Sequence, residues 1–484
     1  MKLAPTFHEE SFYQDSGEYE ILPLRFTRLD QGRYVLTTFG GEYIVVPNEI
    51  FAAFAEHRLT RDNPWFLELE SRHFLTTSGI GMKGELLAAQ YRTRQSRLPD
   101  LTALHIFVIT LRCDNSCQYC QVSRVSEDKH AFDMSEATAD RAIDLMLASP
   151  SPTLKVEFQG GESLLNFPLL KYIVLRTKAR AEGRDIEFVV ATNLAPLTDE
   201  MLFFFKEHSV YVSTSLDGPA ALHNANRPRP SGDAYERTID AVRRCRETLG
   251  KDSVSALMTC TARSLEEPEA IVDEYVRQGF REVFLRSISP YGFAAKKNSR
   301  INYETDQFIA FYKRGLARIL EHNRSGTEIR EVYASILLRR MLTSFPTGYV
   351  DLQSPAGIGL SVLVYNYDGD VYASDEARML AEMGDKTFRL GNVHRDTWAD
   401  LWTKSSLLGV LHESMTEGVP GCADCALQPY CGSDPVRHHA TQGDFVGHQP
   451  TSSFCRKNMA IFRHLFSLLE DDPAAAKILR RWAL

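Results

Sequence analysis

Three cysteines, Cys113, Cys117 and Cys120, fall in one short segment, RCDNSCQYCQVS, with C-x3-C-x2-C spacing. Thiolates suit zinc and iron alike, but three of them complete neither kind of site. A [4Fe-4S] cluster usually takes four protein thiolates, so three on one loop leave one iron open to an exogenous ligand. Zinc knuckles come as paired C-x2-C units, which this loop is not, and the spacing therefore points to an iron-sulfur cluster with an open corner. A second set, Cys422, Cys425 and Cys431 in C-x2-C-x5-C spacing and Cys455 after 23 further residues, supplies four thiolates. Four can close a site completely, as structural zinc or as a second iron-sulfur cluster. Cys245, in a charged helix-like stretch, and Cys260, at the end of an apolar run, stand alone and read as ordinary thiols.

The first cysteine loop follows HIFVITL, the first of six strand-like runs; LKVEFQG, IEFVVATN, VYVSTSL, VSALMTC and EVFLRSI come after it. Between them lie apolar-periodic helical stretches such as SEATADRAIDLMLA and AYERTIDAVRRCRETLG, an alternation that implies parallel β/α units. Six units are fewer than a closed eight-stranded barrel needs, so an α/β fold with a partial (β/α)6 barrel is expected over residues 98–320, its site at the C-terminal ends of the strands. Residues 1–97 read as a small α+β, winged-helix-like module: ILPLRFTRL, RYVLTTF and EYIVVP as strands, NEIFAAFAEHRL and PWFLELESRHFLT as helices. A sheet edge there would suit peptide docking by strand addition. Residues 321–460 read as a separate domain holding the hairpin VLVYNYDGDVYAS, turned at Asp368-Gly369, and the second cysteine set; residues 461–484 read as a C-terminal helix.

The chain has 484 residues, too many for one core, and an ordinary globular composition of 44% hydrophobic and 24% charged residues. Its net charge of -8 argues against a nucleic-acid partner, which needs a basic face. Neither a signal-like start nor a run of about 18 apolar residues is present, so a cytoplasmic protein with no membrane role is expected. Nine cysteines in such a chain are too few for a disulfide scaffold.

The C-x3-C-x2-C loop after a first barrel strand, with Tyr119 just before its last cysteine, resembles the radical S-adenosylmethionine (SAM) superfamily. Gln159-Gly160-Gly161-Glu162 resembles that family's GGE motif for the methionine amino group, where glycines let the backbone approach a ligand and the carboxylate can pair with an ammonium. Asn193, Ser213, Ser215 and Asp217 match positions that in the family surround the ribose and methionine carboxylate of SAM, and Arg227 a position near the active site. The second cysteine set resembles a SPASM domain, which implies one auxiliary [4Fe-4S] cluster on Cys422, Cys425, Cys431 and Cys455; Ser354, Ser374 and Pro435 stand where the cysteines of a further cluster would be expected. Asp375 matches a proton acceptor of sulfatase-maturing relatives. The stretches LPLRF, CQYCQVSRVSEDKHAFDMS, FLRSISPYGF and YNYDGDVYASDEARML resemble radical SAM maturases of His-Xaa-Ser peptide systems (HxsB type).

This resemblance implies an enzyme that cleaves SAM reductively to a 5′-deoxyadenosyl radical, modifies a ribosomally made precursor peptide, and draws electrons from a flavodoxin or ferredoxin. The alternatives are an anaerobic sulfatase-type maturase, a small-molecule radical SAM enzyme, and a non-catalytic iron-sulfur or zinc scaffold.

Overall fold

The computed structural model describes residues 18–120, 128–292 and 301–484. Residues 121–127, which carry QVSRVSE of the maturase-like stretch, Phe293 at the end of FLRSISPYGF, and the start of the N-terminal module lie outside them. The chain forms two compact units. The smaller gathers the described residues up to Ser96 with Arg340–Pro346 and Asp424–Tyr430; the larger holds the rest.

In the smaller unit, β1 (Leu24–Arg28), β2 (Arg33–Thr38) and β3 (Tyr43–Pro47) form the expected antiparallel sheet. Helices α1 (Asn48–Ala55) and α2 (Pro64–Ser71) pack on it around Leu36, Phe54, Phe66 and Phe74. Asn63 caps α2 by accepting from the Trp65 N–H at 3.0 Å, with Pro64 at the first helical position. Helix α3 (Gly81–Arg94) was not read from the sequence: its only buried side chain is Leu87, so it lacks an apolar stripe. Its terminal Arg94 instead donates to Gly40, Arg340, Thr343 and Pro429 carbonyls, fastening the two distant segments to the unit.

The larger unit is built on β4 (Leu104–Thr110), α4 (Glu136–Leu147), β5 (Thr153–Gly160), α5 (Phe167–Arg180), β6 (Asp185–Ala191), α6 (Asp199–His208), β7 (Val210–Ser215), α7 (Ala234–Leu249), β8 (Val254–Thr259), α8 (Pro268–Arg277) and β9 (Leu285–Arg286). The six strands pair in parallel in chain order, as a partial barrel requires. One register row runs Phe107, Phe158, Val190, Val212, Val254, every member buried. At roughly 1.5–3 kcal/mol per buried side chain this face drives the assembly. The opposite face carries Glu157, Gln159, Ser213, Ser215 and Ser255, all half-buried and polar.

Three expectations are corrected. EVFLRSI is not one strand: Glu282–Val283 pairs with Arg330–Glu331, and only Leu285–Arg286 joins β8, because the Leu285 N–H turns to the buried Glu331 carboxylate at 3.1 Å. The region after residue 320 is not a separate domain. After α9 (Thr305–Arg324), strand β10 (Val362–Tyr365) pairs in parallel with β4, and β11 (Asp370–Tyr372) and β12 (Arg389–Asn392) extend the same sheet to nine strands. All four residues of β10 are buried and cover an edge that β4 would otherwise leave unpaired. The C-terminus is two helices, α13 (Ser453–Asp471) and α14 (Pro473–Trp482), after α11 (Asp375–Ala381) and α12 (Pro435–Gln442). Asp472-Pro473 ends α13, and Asp472 caps α14 by accepting from the Ala475 N–H at 2.9 Å. No helix among the described residues is long and apolar enough to cross a membrane.

Candidate functional site

The chain leaves β4 at Thr110 and reaches Cys113 through a stalk held on both sides. Arg112 forms a bidentate pair with Asp133 at 2.8 and 2.7 Å, and the Thr110 hydroxyl donates to the same carboxylate at 2.6 Å. From the other side, the N–H groups of Gly161 and Glu162 donate to the Thr110 and Arg112 carbonyls at 2.9 and 2.7 Å. A Cβ on Gly160 would lie 2.0 Å from the Thr110 oxygen, and one on Gly161 2.2 Å from the Arg112 oxygen; Gly160 also has φ +141°. The close approach that these glycines permit is therefore to the stalk of the cysteine loop, a nearer constraint than the ligand the sequence suggested.

The loop itself is pinned along its length. Ser116 and Gln118 donate backbone N–H groups to the Pro228 and Asn226 carbonyls. Asp114 sits between Asn193 Nδ2 at 2.7 Å and Arg229 Nη1 at 2.5 Å, and Arg229 also donates to Asn115 Oδ1 at 2.8 Å. The Tyr119 hydroxyl donates to the Asp217 carboxylate at 2.7 Å. Arg227 pairs with Asp217 at 3.3 Å and lies over the Tyr119 ring at 5.3 Å. Asp217 is fully buried and Arg227 nearly so, which rules out the solvated-loop reading of that arginine. The structure thus commits Asp217 to the cysteine loop, although the sequence placed it among the ligands of SAM.

Glu162 is likewise fully buried. Its carboxylate accepts from the Thr192 hydroxyl at 2.6 Å and from the N–H groups of Asn193 and Leu164 at 2.7 and 3.0 Å. Burial outweighs these bonds and pushes the carboxyl up to about 7. Ser213 and Ser215 lie half-buried at the C-terminal end of β7, on the polar face of the sheet. Sequence reasoning missed Arg112, Asp114, Asp133 and Arg229. The available signal was proximity: Asp114 adjoins Cys113, and Arg229 follows Arg227 by two residues in NRPRP.

None of the nine cysteines is in a disulfide. Burial pushes the Cys113 thiol well up and Cys117 up to about 11, so both are neutral thiols in metal-free protein at neutral pH. Positively charged irons would draw off those protons, and the three-thiol loop fits the cluster that the residue spacing calls for. Among the described residues no three His, Cys, Asp or Glu side chains converge as a single metal ion requires. A cubane asks for no such convergence, since each thiolate binds its own iron. Cys245 and Cys260 are both fully buried in the core.

Cys422, Cys431 and Cys455 belong to the larger unit, Cys425 to a segment of the smaller. Cys455 sits in the first turn of α13, its N–H bonded to the capping Ser452 at 3.2 Å. Asn458 Nδ2 donates to Cys431 Sγ at 3.8 Å, and the Tyr333 hydroxyl holds that amide at 2.7 Å. The positions where further cysteines would stand have other duties. Ser374 caps α11, Ser354 bonds Glu417 and the Thr416 N–H, and Pro435 opens α12. Asp375, largely buried, has Arg378 Nε 3.7 Å from its Oδ1, and among the described residues that oxygen accepts no hydrogen bond. Burial, opposed by Arg378, raises its carboxyl to about 6.

Residues 107–274, from within β4 to within α8, match the model of the Radical SAM superfamily. The chain carries a radical SAM domain. Members of this superfamily use a [4Fe-4S] cluster with SAM, and Cys113, Cys117 and Cys120 are the thiols of this domain that fit such a cluster. A serine-type anaerobic sulfatase-maturating enzyme of Bacteroides thetaiotaomicron is 30% identical over 125 residues, 25% of this chain and 30% of that protein. The chain spans 65%, 42% and 30% of the length of three of the curated relatives it matches. The radical SAM domain and its extension share their fold with two solved structures. One is anSMEcpe with bound AdoMet (17% identity, TM-score 0.63, covering 78% of this chain and 99% of that one). The other is Streptococcus suis SuiB bound to its precursor peptide SuiA (14% identity, TM-score 0.54, 90% and 100%).

Proposed function

We propose that the protein is a radical SAM maturase that modifies a ribosomally made precursor peptide of the His-Xaa-Ser type, with electrons from a flavodoxin or ferredoxin and one auxiliary [4Fe-4S] cluster on Cys422, Cys425, Cys431 and Cys455. The observation that carries it is the pinned cysteine loop: Arg112, Asp114, Tyr119, Asp217, Arg227 and Arg229 fix a three-thiol segment at the strand ends of the radical SAM domain. When bound there, the cluster and SAM supply a radical able to take hydrogen from an unactivated carbon. The chain's own part is to hold that carbon close and keep water out. Among the described residues β1 pairs only with β2, which leaves an edge for an extended peptide to add to.

A second reading, sulfatase-type oxidation of a protein side chain, is favoured by Asp375: a largely buried carboxylate raised to about 6, whose Oδ1 has Arg378 at 3.7 Å but accepts no hydrogen bond among the described residues, suits a proton acceptor. Anaerobic reconstitution with iron and sulfide, reduction, and assay of SAM for 5′-deoxyadenosine tests the common ground. Turnover lost in Cys113→Ala with about eight irons per chain, four for each of two cubanes, supports a maturase with one auxiliary cluster. No 5′-deoxyadenosine from fully loaded protein would leave only a scaffold.

A further inference from the structure

The larger unit contains a cleft that the radical SAM site does not use. It opens where β9 ends, and Arg286, Tyr291, Asp351, Glu376, Asp434, Arg437 and Lys457 line it with a few aromatic rings. Arg286 stands opposite Thr259 in the parallel register, and the Thr259 N–H lies 3.4 Å from Asp217, the carboxylate that anchors the cysteine loop. Glu376 follows Asp375 directly. The cleft therefore begins one strand from the cofactor site and one residue from the raised carboxylate.

Part of its polar lining is already engaged: Asp434 caps α12 by accepting from the Arg437 N–H at 3.0 Å, Arg437 Nη2 donates to Ser453 at 3.2 Å, and Lys457 lies over the Tyr333 ring at 5.0 Å. Tyr291 is 1% exposed, and among the described residues its hydroxyl has no hydrogen-bond partner and Arg437 Nε is also buried without one. Among the described residues Asp351 has neither a hydrogen bond nor an ion pair through its carboxyl, and the only ion pair within the lining is Arg286 with Glu376 at 4.0 Å. Buried polar groups are rarely left unmatched, so these fall to water or to a polar guest that displaces it. The sign of the guest follows from the lining: three acids face three bases, and their formal charges cancel. A charged guest would bring an uncompensated charge into a secluded site, whereas a dipolar one can meet acceptor and donor at once. Tyr333 stacks on Phe284 at 6.2 Å and meets Tyr349 edge-on at 6.0 Å, giving walls that suit a flat group.

We propose that this cleft is a side-chain subsite for the peptide, taking a planar, uncharged group that both donates and accepts hydrogen bonds, a carboxamide or a neutral imidazole. The inference rests on the peptide-maturase reading for its guest and on the cleft alone for its chemistry. A residue seated there is held next to Asp375, so the subsite sets which neighbouring residue meets the radical.

The test is binding of small probes to the anaerobically reconstituted full chain by ligand-observed NMR at pH 7.5, where Lys457, lowered to about 8 by burial, still carries most of its charge, with propionamide and imidazole set against propionate and ethylammonium. The neutral probes should bind at least tenfold more tightly than the charged ones. Tyr291→Phe, which strands no partner and leaves the fold intact, should weaken them at least threefold. Asp351→Asn should weaken them at least tenfold and shift preference toward propionate. Preference for propionamide or for imidazole identifies the side chain. Charged probes binding as well as neutral ones, or neutral-probe affinity unchanged in both variants, would overturn the subsite. Probe binding needs no turnover, so a protein that binds the probes but makes no 5′-deoxyadenosine would sink the maturase reading and spare the cleft, and the converse result would do the reverse.

Discussion

Asp217→Asn tests whether the cysteine loop is held by a buried charge pair or merely by packing. Asp217 is fully buried, accepts from Tyr119 at 2.7 Å and faces Arg227, whose side chain is 10% exposed. Asparagine keeps an acceptor for the tyrosine but strands the guanidinium. Removing one partner of a buried pair costs about 3–5 kcal/mol, and the retained hydrogen bond puts this case at the lower end, about 3 kcal/mol. In a unit this large each kcal/mol moves Tm by about 1–2 °C, so a fall of about 3–6 °C is expected. Arg227→Met leaves Asp217 with only its tyrosine partner and should cost about 3–5 kcal/mol. The double variant is decisive, because replacing both members of a buried pair is often close to neutral. It should cost less than either single change, a coupling of at least about 2 kcal/mol. The assay is guanidinium unfolding of metal-free protein under reducing, anaerobic conditions, with iron content after reconstitution as a second readout. Additivity of the two single changes within about 0.5 kcal/mol would refute the reasoning.

Glu162 has a folded-state carboxyl raised from 4.5 to about 7. Between those values the folded state binds more protons than the unfolded one, so stability falls as pH rises from about 4.5 to 7, by at most about 3.4 kcal/mol. Glu162→Gln should flatten that part of the pH–stability curve of metal-free protein, and an unchanged slope would count against the buried carboxyl. Gly161→Ala places a methyl 2.2 Å from the Arg112 oxygen, so it should displace the stalk and lower Tm by several degrees, with iron uptake falling in parallel; full iron loading at wild-type Tm would show that the stalk can yield. Asp375→Asn should leave 5′-deoxyadenosine formation within about twofold while reducing modified peptide about tenfold or more, as loss of a general base does, read by mass spectrometry of the peptide. Equal loss of both products would make Asp375 structural.

The strand order and the position of the cysteine loop were legible in the sequence because six apolar runs alternate with amphipathic helices, and one face of each strand is continuously buried. The continuation of that sheet into β10, β11 and β12 was not legible. VLVY reads as a hairpin arm from local pattern alone, and its parallel pairing with β4 joins residues more than 250 positions apart. Helix α3 escaped because hydrogen bonds from Arg94, not an apolar stripe, tie its end down. The split of EVFLRSI depends on Glu331, a partner that periodicity cannot disclose.

The site shows the same division between local and distant causes. Residue types at the strand ends were readable, but their duties were read one step too far outward. Gly160, Gly161 and Asp217 look in sequence like groups that touch a ligand, and in the structure each is spent on the loop that carries the thiols. That arrangement is what the chemistry demands. If the loop holds a cluster as proposed, a radical formed with it would reach one carbon and spare its neighbours only where the thiols are fixed to a fraction of an ångström, and a loop of half-buried cysteines has no intrinsic rigidity. Rigidity must come from charges and backbone contacts that point inward. The polar groups left to meet a substrate are then those without a hydrogen bond of their own among the described residues, and Asp375 Oδ1, the Tyr291 hydroxyl and the Asp351 carboxyl meet that description where Asp217 and Glu162 do not.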